Sequence, residues 1–258
     1  MTASLPDVFS LTGKKAVVTG GNRGLGYAMA RALAEASAEV VITGRDRAVL
    51  DKSAEQLSEQ TAGRVVPVAV DVTSAEQIDA MTAEALEALG RIDILVNNAG
   101  INIRESTLTQ SEANFRKILD TNLVGAFLVA QSVGRHLVAQ RSGTVIHVAS
   151  MLGFVGLADR PGYTASKGGL IQLTRTMALE WAGSGVRVNA LCPGPFATEI
   201  NTPVVSDPEA NRFFIERIPL GRWGRPDELA GAIVFLASDA SSFMTGATLV
   251  VDGGWSAQ

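Results

Sequence analysis

The sequence has few of the residues that build disulfide frameworks or metal centres. Its 258 residues include one cysteine, Cys192, and two histidines, His136 and His147. A single cysteine excludes an internal disulfide and any metal site made of several cysteines. His147 lies in an alternating apolar stretch, where we interpret it as a packed strand residue. The composition therefore predicts a protein without a metal ion.

The chain also has no excess of positive charge and no long apolar run. Its net charge is -4 and its isoelectric point is near 5.3, so the basic surface of a nucleic-acid-binding protein is not expected. The longest apolar run, residues 123–130, is far too short to cross a membrane. The first residues lack the basic and apolar segments of a secretion signal. We expect a cytoplasmic protein that binds neither nucleic acid nor membrane.

The length and the pattern of elements favour one α/β domain. A chain of 258 residues that is 47% hydrophobic can bury a large core. Short apolar runs alternate with helical patterns throughout, without a repeat or a linker. This alternation predicts a parallel sheet with helices on both faces. The predicted strands are residues 15–19, 39–43, 64–70, 92–96, 143–150, 186–191 and 247–251.

The predicted helices leave one long irregular segment. Residues 196–218 show little regular pattern, apart from a short helix at 208–217. A long irregular segment inside a compact domain is often a lid. We therefore predict a substrate lid at about 196–218 within a single domain of residues 1–258. The longer helices are predicted at 25–36, 47–60, 75–89, 110–140, 161–182 and 226–238.

A glycine-rich turn joins the first predicted strand to the first long helix. It reads Gly20-Gly21-Asn22-Arg23-Gly24-Leu25-Gly26. Glycines permit a tight turn and let a pyrophosphate approach the backbone, while the helix N-terminus offers free N–H groups and partial positive charge. In this strand–turn–helix context the motif indicates a dinucleotide-binding βαβ unit.

The end of the second predicted strand distinguishes the two nicotinamide dinucleotides. A carboxylate there would bind a ribose 2′-hydroxyl and repel a 2′-phosphate. This chain instead has Gly44 followed by Arg45, and Arg23 in the glycine-rich turn is a second cation. We interpret the next residue, Asp46, as the cap of the following helix. The two guanidiniums predict NADP(H) in preference to NAD(H).

Tyr163 and Lys167 stand four residues apart on a predicted helix that Pro161 opens. At about 4 Å and an effective dielectric constant near 20, an ammonium would favour a phenolate by about 4 kcal/mol, or about three pKa units. A phenol tuned in this way can donate or accept a proton at cellular pH. Ser150, at the end of the preceding strand, could hold the oxygen that receives the proton.

These motifs together resemble the short-chain dehydrogenase/reductase family over nearly the whole chain. The matching pieces, in order, are Thr19-Gly20-x-x-x-Gly24-x-Gly26, Asp71, Asn97-Asn98-Ala99-Gly100, Asn122, Ser150, Tyr163-x-x-x-Lys167 and Pro193-Gly194. The resemblance implies a single Rossmann-like domain with a seven-stranded parallel sheet and a homotetrameric assembly. It also implies an oxidoreductase that transfers a hydride between a nicotinamide cofactor and a small ketone or secondary alcohol.

By this resemblance the catalytic residues are Asn122, Ser150, Tyr163 and Lys167. Tyr163 would exchange the proton, Ser150 would hydrogen-bond the substrate oxygen, and Lys167 would lower the Tyr163 pKa and hold the nicotinamide ribose. Asn122 would position a water that links Lys167 to solvent. Cofactor contacts are implied for Gly20, Asn22, Arg23, Gly24, Leu25, Gly26, Arg45, Asp71, Val72, Asn98, Ala99, Gly100, Tyr163, Lys167, Pro193, Gly194, Phe196 and Thr198.

The substrate is much less clearly indicated. Residues after Gly100, in the loop before Tyr163 and in the lid should line its pocket, including Ile101, Asn102, Arg104, Met151, Leu152, Phe154, Asp159, Arg160 and Phe196. Substrate binding is predicted for Arg104, Ser150, Leu152, Arg160 and Tyr163. The two arginines are possible carboxylate anchors. An ion pair at the surface or a subunit interface is an equal alternative for Arg104.

Three functions stay open from the residues. Asn102-Ile103-Arg104 and Arg222-Trp223-Gly224 are similar to the corresponding stretches of gluconate 5-dehydrogenases and of other sugar or polyol dehydrogenases. The favoured function is therefore an NADP-dependent carbonyl reductase, with a keto-sugar acid as the candidate substrate. A 3-oxoacyl-carrier-protein reductase is the alternative enzyme, and it would need a basic docking patch such as one formed by Arg135, Arg141 and Arg175. The third hypothesis is a catalytically silent NADP-binding scaffold.

Overall fold

Seven parallel strands form one sheet in the computed structural model, which describes residues 4–61 and 63–257. The remaining positions of the predicted domain 1–258 lie outside the described residues. The spatial strand order is β3-β2-β1-β4-β5-β6-β7. This confirms the predicted seven-stranded Rossmann-like sheet. The strands are β1 (Lys15–Thr19), β2 (Glu39–Gly44), β3 (Val65–Ala69), β4 (Ile94–Asn97), β5 (Gly143–Val148), β6 (Val186–Pro193) and β7 (Thr248–Val251).

The connections reverse direction beside β1. This strand pairs with β2 on one side and with β4 on the other, both in parallel register. The chain therefore runs from β1 through β2 and β3 to one edge of the sheet, and then crosses back to β4 and continues toward the other edge. Such a reversal opens a crevice at the carboxyl ends of the strands, which is where ligands bind in open α/β sheets.

Successive strand residues pack into two different cores, one on each face of the sheet. In β1, Ala16 and Val18 belong to one apolar cluster, whereas Val17 belongs to the other. The first cluster is covered by α2 (Gly24–Glu35), α3 (Arg47–Thr61) and α10 (Ala230–Ala237). The second is covered by α4 (Ala75–Leu89), α6 (Gly125–Ala139) and α7 (Pro161–Trp181). Helices thus bury both faces, as predicted.

The predicted helix at 110–140 is interrupted. It begins as α5 (Glu112–Leu119), with the Ser111 hydroxyl accepting a hydrogen bond from the Asn114 amide, and passes through a π-helical turn at Asp120–Val124 into α6. A π-helical turn inserts one residue into the helical repeat, and such turns often lie at functional sites. This one contains Asn122, which is 1% exposed.

The segment predicted to be mostly irregular is more helical than expected. A 3₁₀ turn at Glu199–Asn201 and the short α8 (Thr202–Val205) precede α9 (Pro208–Arg217). The bounds of α9 agree with the predicted helix, and the Asp207 carboxylate caps it. The predicted helix at 226–238 begins as a 3₁₀ turn before α10, and a short α1 (Leu5–Phe9) was not predicted. Across the described residues, no helix has both the length and the apolarity to span a membrane.

Candidate active site

A cleft of about 1110 Å³ opens at the carboxyl ends of β1, β2, β4, β5 and β6. It brings together every residue predicted to be catalytic, to contact the cofactor or to bind the substrate, apart from Asn122. From the predicted cofactor contacts it contains Gly20, Asn22, Arg23, Gly24, Leu25, Gly26, Arg45, Asp71, Val72, Asn98, Ala99, Gly100, Tyr163, Lys167, Pro193, Gly194, Phe196 and Thr198. From the predicted substrate contacts it contains Arg104, Ser150, Leu152, Arg160 and Tyr163.

Two residues predicted to line the substrate pocket lie outside the cleft. The Phe154 side chain is 47% exposed, and Asp159 sits in the turn before α7 with a backbone φ of 60°. The cleft also contains Leu157, Asn201 and Phe214, which lie in the loop and the lid predicted to line the pocket but were not singled out, and Thr121 and Trp223, for which no cleft contact was predicted. Only the apolar pair Phe213-Phe214 on the short predicted helix could have signalled an inward-facing side chain there.

The glycine-rich turn leaves no room for a side chain at Gly26. Gly20 has a φ of 63°, which favours glycine. A Cβ on Gly26 would lie 2.1 Å from the Gly20 carbonyl oxygen and 2.5 Å from Asn98 Nδ2. The first turn of α2 therefore lies directly on the loop. The first amide N–H groups of an α-helix have no intrahelical acceptors, and Gly24, Leu25 and Gly26 at this helix start line the cleft, which suits a pyrophosphate.

Asn98 and Thr19 hold this turn in place. Asn98 Nδ2 donates to the carbonyl oxygens of Thr19 and Gly20, at 2.9 and 3.2 Å. The Thr19 hydroxyl accepts the amides of Asn98 and Ala99, at 2.9 and 3.0 Å. Much of the Asn97-Asn98-Ala99-Gly100 motif thus joins the ends of β1 and β4, so its contribution to a cofactor site includes shaping the floor of that site.

Two exposed arginines, Arg23 and Arg45, line the cleft just beyond the ends of β1 and β2. Arg23 is the N-cap residue of α2, and Arg45 follows β2. Neither forms an ion pair with a carboxylate within residues 4–61 and 63–257. Asp46 Oδ1 accepts the Val49 amide at 3.1 Å, which confirms its predicted role as a helix cap. The carboxyl end of β2 is therefore followed by the Arg45 guanidinium, and the Asp46 carboxylate beside it is engaged as a helix cap.

Ser150, Tyr163 and Lys167 meet in the middle of the cleft. Ser150 follows β5 and its hydroxyl accepts the Leu152 amide at 3.1 Å. The Lys167 ammonium lies 5.6 Å from the centre of the Tyr163 ring and donates a 2.7 Å hydrogen bond to the Val148 carbonyl. A phenol, a hydroxyl and an ammonium are thus held side by side on one strand end and one helix, an arrangement suited to proton transfer at an oxygen.

The expected lowering of the Tyr163 pKa is not found in this structure. Burial raises the pKa of Tyr163, and this effect outweighs the hydrogen bond from Ser150 and the charge of Arg160, which both lower it. The Lys167 ammonium donates its hydrogen bond to the Val148 carbonyl. Burial also lowers the pKa of Lys167 to about 8. The phenol is accordingly protonated near neutral pH, as a proton donor must be.

Asn122 does not line the cleft, but it hydrogen-bonds to Ile101, which does. Its Oδ1 accepts the Ile101 amide at 2.7 Å, and its Nδ2 donates to the Ile101 carbonyl at 2.8 Å and to the Ser166 hydroxyl at 3.2 Å. Ser166 in turn donates to the Tyr163 carbonyl at 2.7 Å. Asn122 therefore ties the loop after β4 to the first turns of α7, which carry Tyr163.

Two further arginines, Arg104 and Arg160, line the same cleft. Arg104 donates to the Ile200 carbonyl and to Asn201 Oδ1, at 3.2 and 2.9 Å. Arg160 donates to the carbonyls of Ala158 and Asp159, at 3.4 and 3.1 Å. Within the described part of the chain neither has a carboxylate in an ion pair. Burial lowers the pKa of both, and Arg104 lowers that of Arg160 further.

The fold and the cleft together define a class of protein. A doubly wound sheet with a glycine-rich turn at its switch point binds a dinucleotide, and a Ser–Tyr–Lys group beside that site serves proton transfer to or from an oxygen. These are the parts of a nicotinamide-dependent oxidoreductase. Within residues 4–61 and 63–257 there is no cluster of three or more His, Cys, Asp or Glu side chains that could hold a metal ion.

Comparison with known proteins identifies the family. A family model described as enoyl-(acyl carrier protein) reductase matches residues 20–256. Galactitol 2-dehydrogenase (L-tagatose-forming) of Cereibacter sphaeroides is 42% identical, covering 96% of this chain and 97% of that protein. A 2-dehydro-3-deoxy-D-gluconate 5-dehydrogenase of Bacillus subtilis is also 42% identical, covering 97% and 98%. A gluconate 5-dehydrogenase of Burkholderia cenocepacia, solved with NADP and tartrate, superposes with a TM-score of 0.95 at 38% identity, covering 99% of this chain and 100% of that one.

The chain belongs to the short-chain dehydrogenase/reductase family. It is an oxidoreductase that interconverts secondary alcohols and ketones with a nicotinamide cofactor.

Proposed function

We propose that this protein is an NADP-dependent dehydrogenase that interconverts a keto-sugar acid and the corresponding hydroxy acid. The observation that carries this proposal is the pair of guanidiniums, Arg104 and Arg160, at the substrate end of the cleft. Both are partly buried, both line a cleft that also holds Ser150 and Tyr163, and neither forms an ion pair with a carboxylate of the described chain. A buried cation without a counterion is costly, and a substrate carboxylate would supply that counterion.

The names of the relatives agree with a polyhydroxylated acid as substrate. Two of the proteins compared above are named for sugar-acid dehydrogenation, and the Burkholderia structure contains tartrate, a hydroxylated dicarboxylate. The galactitol 2-dehydrogenase, in contrast, is named for an uncharged polyol. The arginine pair therefore supports the acid over the neutral polyol for this chain.

NADP is the cofactor that the exposed arginines at the other end of the cleft favour. Arg23 and Arg45 present two guanidiniums where the 2′-phosphate of a bound dinucleotide would lie, while Asp46 is occupied as a helix cap. Asp71 also lines the cleft, but its carboxylate accepts the amide and hydroxyl of Thr73 at 3.0 and 2.8 Å. The charge balance at this end is thus suited to a phosphate dianion.

The residues at the centre of the cleft would each have a separate role in the reaction. A bound nicotinamide supplies or accepts the hydride. The Tyr163 hydroxyl donates its proton to the carbonyl oxygen in reduction and takes it back in oxidation. The Ser150 hydroxyl holds that oxygen in place, and Lys167 keeps a positive charge beside the phenol as the proton leaves. Asn122 positions the start of α7 and the loop after Gly100, so that these groups keep their spacing.

The test compares a charged and an uncharged substrate in two arginine variants. Arg104→Gln and Arg160→Gln should each raise the KM for 5-ketogluconate about 10- to 100-fold, because a charge-assisted hydrogen bond contributes about 1.5–3 kcal/mol. Turnover of an uncharged cyclic diketone should change little. The surface variant Arg116→Gln, which removes an exposed ion pair with Glu112, is the matched control.

Three other outcomes would contradict the proposal in different ways. Equal losses with the acid and the diketone would assign both arginines to structure. Efficient reduction of an acetoacetyl thioester with none of 5-ketogluconate would favour the 3-oxoacyl-carrier-protein reductase. Tight NADPH binding with no turnover of any carbonyl would favour the silent scaffold.

The proposal includes a homotetramer in the cytoplasm, as the family resemblance implies. Large apolar side chains lie exposed on the α6 and α7 side of the sheet. Val124, just before α6, is 45% exposed, Phe127 on α6 is 37% exposed, and Leu179 on α7 is 84% exposed. Burying them against another copy would remove apolar surface from water, at about 25 cal/mol per Å². Light scattering should give four times the mass of 27.0 kDa. Leu179→Glu should lower that mass, and a monomeric wild-type protein would contradict the proposal.

A further inference from the structure

The last turn of the described chain is closed by one carboxylate. Asp252 follows β7, and its Oδ1 accepts the Gly254 amide at 2.9 Å. Its Oδ2 accepts the amide and the hydroxyl of Ser256, at 2.8 and 2.6 Å. Gly253 and Gly254, with φ of 66° and 90°, give the turn its left-handed course. We call residues 252–257 the C-terminal turn. Its geometry fixes the direction of Trp255.

The C-terminal turn packs directly on the end of the lid. A Cβ on Gly253 would lie 2.8 Å from Ile218 Cγ2, and one on Gly254 would lie 2.9 Å from Pro219 Cγ. The Leu220 amide also donates to the Gly253 carbonyl at 3.2 Å. The two glycines therefore allow a backbone-to-lid contact that larger residues would push apart.

Trp255 holds the lid helix itself. Its side chain is 9% exposed, and its ring lies 5.4 Å from that of Phe214 on α9. Phe214 also stacks on Trp223, with ring centres 4.9 Å apart. The Trp223 indole N–H donates to Asn211 Oδ1, also on α9, at 2.7 Å. The Phe214 ring of the lid thus packs against two indoles. Both Phe214 and Trp223 line the cleft.

The same tryptophan belongs to an apolar cluster on the catalytic side of the cleft. Trp255 shares an apolar cluster with Met151 and Leu152, which directly follow Ser150. The turn reaches the cofactor side as well, because a Cβ on Gly194 would lie 2.5 Å from Asp252 Cα. The C-terminal turn therefore touches the lid, the turn after Ser150 and the Pro193–Gly194 loop.

We propose that Trp255 is a positioning residue that sets the closed position of α9 over the substrate end of the cleft. It reaches no reacting atom and acts through Phe214 and Leu152, which do line the cleft. The inference rests on the proposed function, since it assigns the substrate to the end of the cleft that α9 covers. Removing the indole would take away one of the three rings that contact Phe214, and α9 would spend more time away from Leu152.

The first experiment separates substrate binding from cofactor binding. Trp255→Ala should raise the KM for 5-ketogluconate about tenfold or more, since small misplacements of substrate-positioning groups are costly. The NADPH Kd should stay unchanged. Trp255→Phe, which retains a ring against Phe214, should restore most of the loss. Trp181→Phe is the matched control, since Trp181 packs against Gly134, away from the cleft. Equal effects on the KM and the NADPH Kd, or no rescue by phenylalanine, would overturn the proposal.

A second experiment needs no substrate and so stands if the proposed function fails. Trypsin cleavage after Arg212, an exposed residue of α9, should be about tenfold faster in Trp255→Ala than in the wild-type protein, if opening of α9 limits cleavage. Trp255→Phe and Trp181→Phe should be cut at the wild-type rate. If the alanine variant does not fold, Trp255→Leu takes its place. Cleavage at the wild-type rate in the folded variant would overturn the proposal.

Discussion

The Lys167 ammonium donates a 2.7 Å hydrogen bond to the carbonyl oxygen of Val148, the last residue of β5. Ser150 lies two residues beyond that carbonyl, and Tyr163 lies one helical turn before Lys167. The bond therefore joins the strand that carries the hydroxyl to the helix that carries the phenol. Because Lys167 is 4% exposed, this contact also provides a partner for a charge that burial penalises.

Tyr163→Phe should remove most of the turnover and leave NADPH binding unchanged. The substitution deletes only the hydroxyl that exchanges the proton, and general acid catalysis contributes about 10²- to 10⁴-fold. The loss is measured from the decay of the reduced nicotinamide absorbance with 5-ketogluconate. The chain has one other tyrosine, Tyr27, whose hydroxyl donates to Gln60 Oε1 at 3.2 Å away from the cleft. Tyr27→Phe should be fully active, and near-normal turnover in Tyr163→Phe would refute the proton-transfer role.

Arg45→Ser should reduce the preference for NADPH over NADH. Loss of a charge-assisted hydrogen bond to the 2′-phosphate should lower kcat/KM with NADPH about 10- to 100-fold and change that with NADH little. Arg47→Ser is the control, because Arg47 stands two residues away on α3 and pairs with Asp51. A wild-type protein that uses NADH as efficiently as NADPH would contradict the assignment.

Gly26→Ala should abolish tight NADPH binding. Its Cβ would meet the Gly20 carbonyl oxygen at 2.1 Å, a distance that forces the loop away from α2. Gly231→Ala offers the opposite case, since Gly231 lies in α10 with nothing within 4 Å of its added Cβ. That variant should bind NADPH normally and gain about 0.5–1 kcal/mol of folding stability. Binding is measured by titration, and normal affinity in Gly26→Ala would show that the loop tolerates displacement.

His147 makes the free energy of unfolding sensitive to acid. It is fully buried on β5, neither ring nitrogen has a hydrogen-bond partner in the described chain, and burial together with the charge of Lys167 lowers its pKa to about 3. The unfolded chain, with a histidine pKa near 6.5, therefore binds more protons as the pH falls below that value. The stability from keeping His147 neutral is present above pH 6.5 and is lost as the pH falls toward 3.

His147→Asn should remove this dependence. Between about pH 7 and about pH 5 the wild-type free energy of unfolding should fall by about 2 kcal/mol more than that of the variant. Urea denaturation at the two pH values measures the difference. His136→Asn, at an exposed position of α6, should keep the wild-type slope. Identical slopes in wild type and His147→Asn would show that His147 is not held neutral.

The predicted strands and most helices are confirmed because their apolar patterns are local. β1, with its alternation between two cores, and α9, with Asp207 before it and Ile218 after it, can be placed within one or two residues. The interruption at Asp120–Val124 was not predictable in the same way. A π-helical turn leaves no mark on an apolar pattern that continues through it, and the burial of Asn122 depends on Ile101 and Ser166.

The sequence by itself determined the Rossmann-like sheet, the glycine-rich turn and the residue types at the candidate site, because spacing along a strand or a helix sets which side chains share a face. Only the tertiary structure decided the direction of the Tyr163 pKa shift and the position of the Lys167 ammonium. Burial raises the Tyr163 pKa, and the ammonium expected to lower it is directed at Val148. Only the fold brings Trp255 from the end of the chain to Phe214 and Leu152. Desolvation and long-range packing depend on what surrounds a residue in space, which no local pattern records.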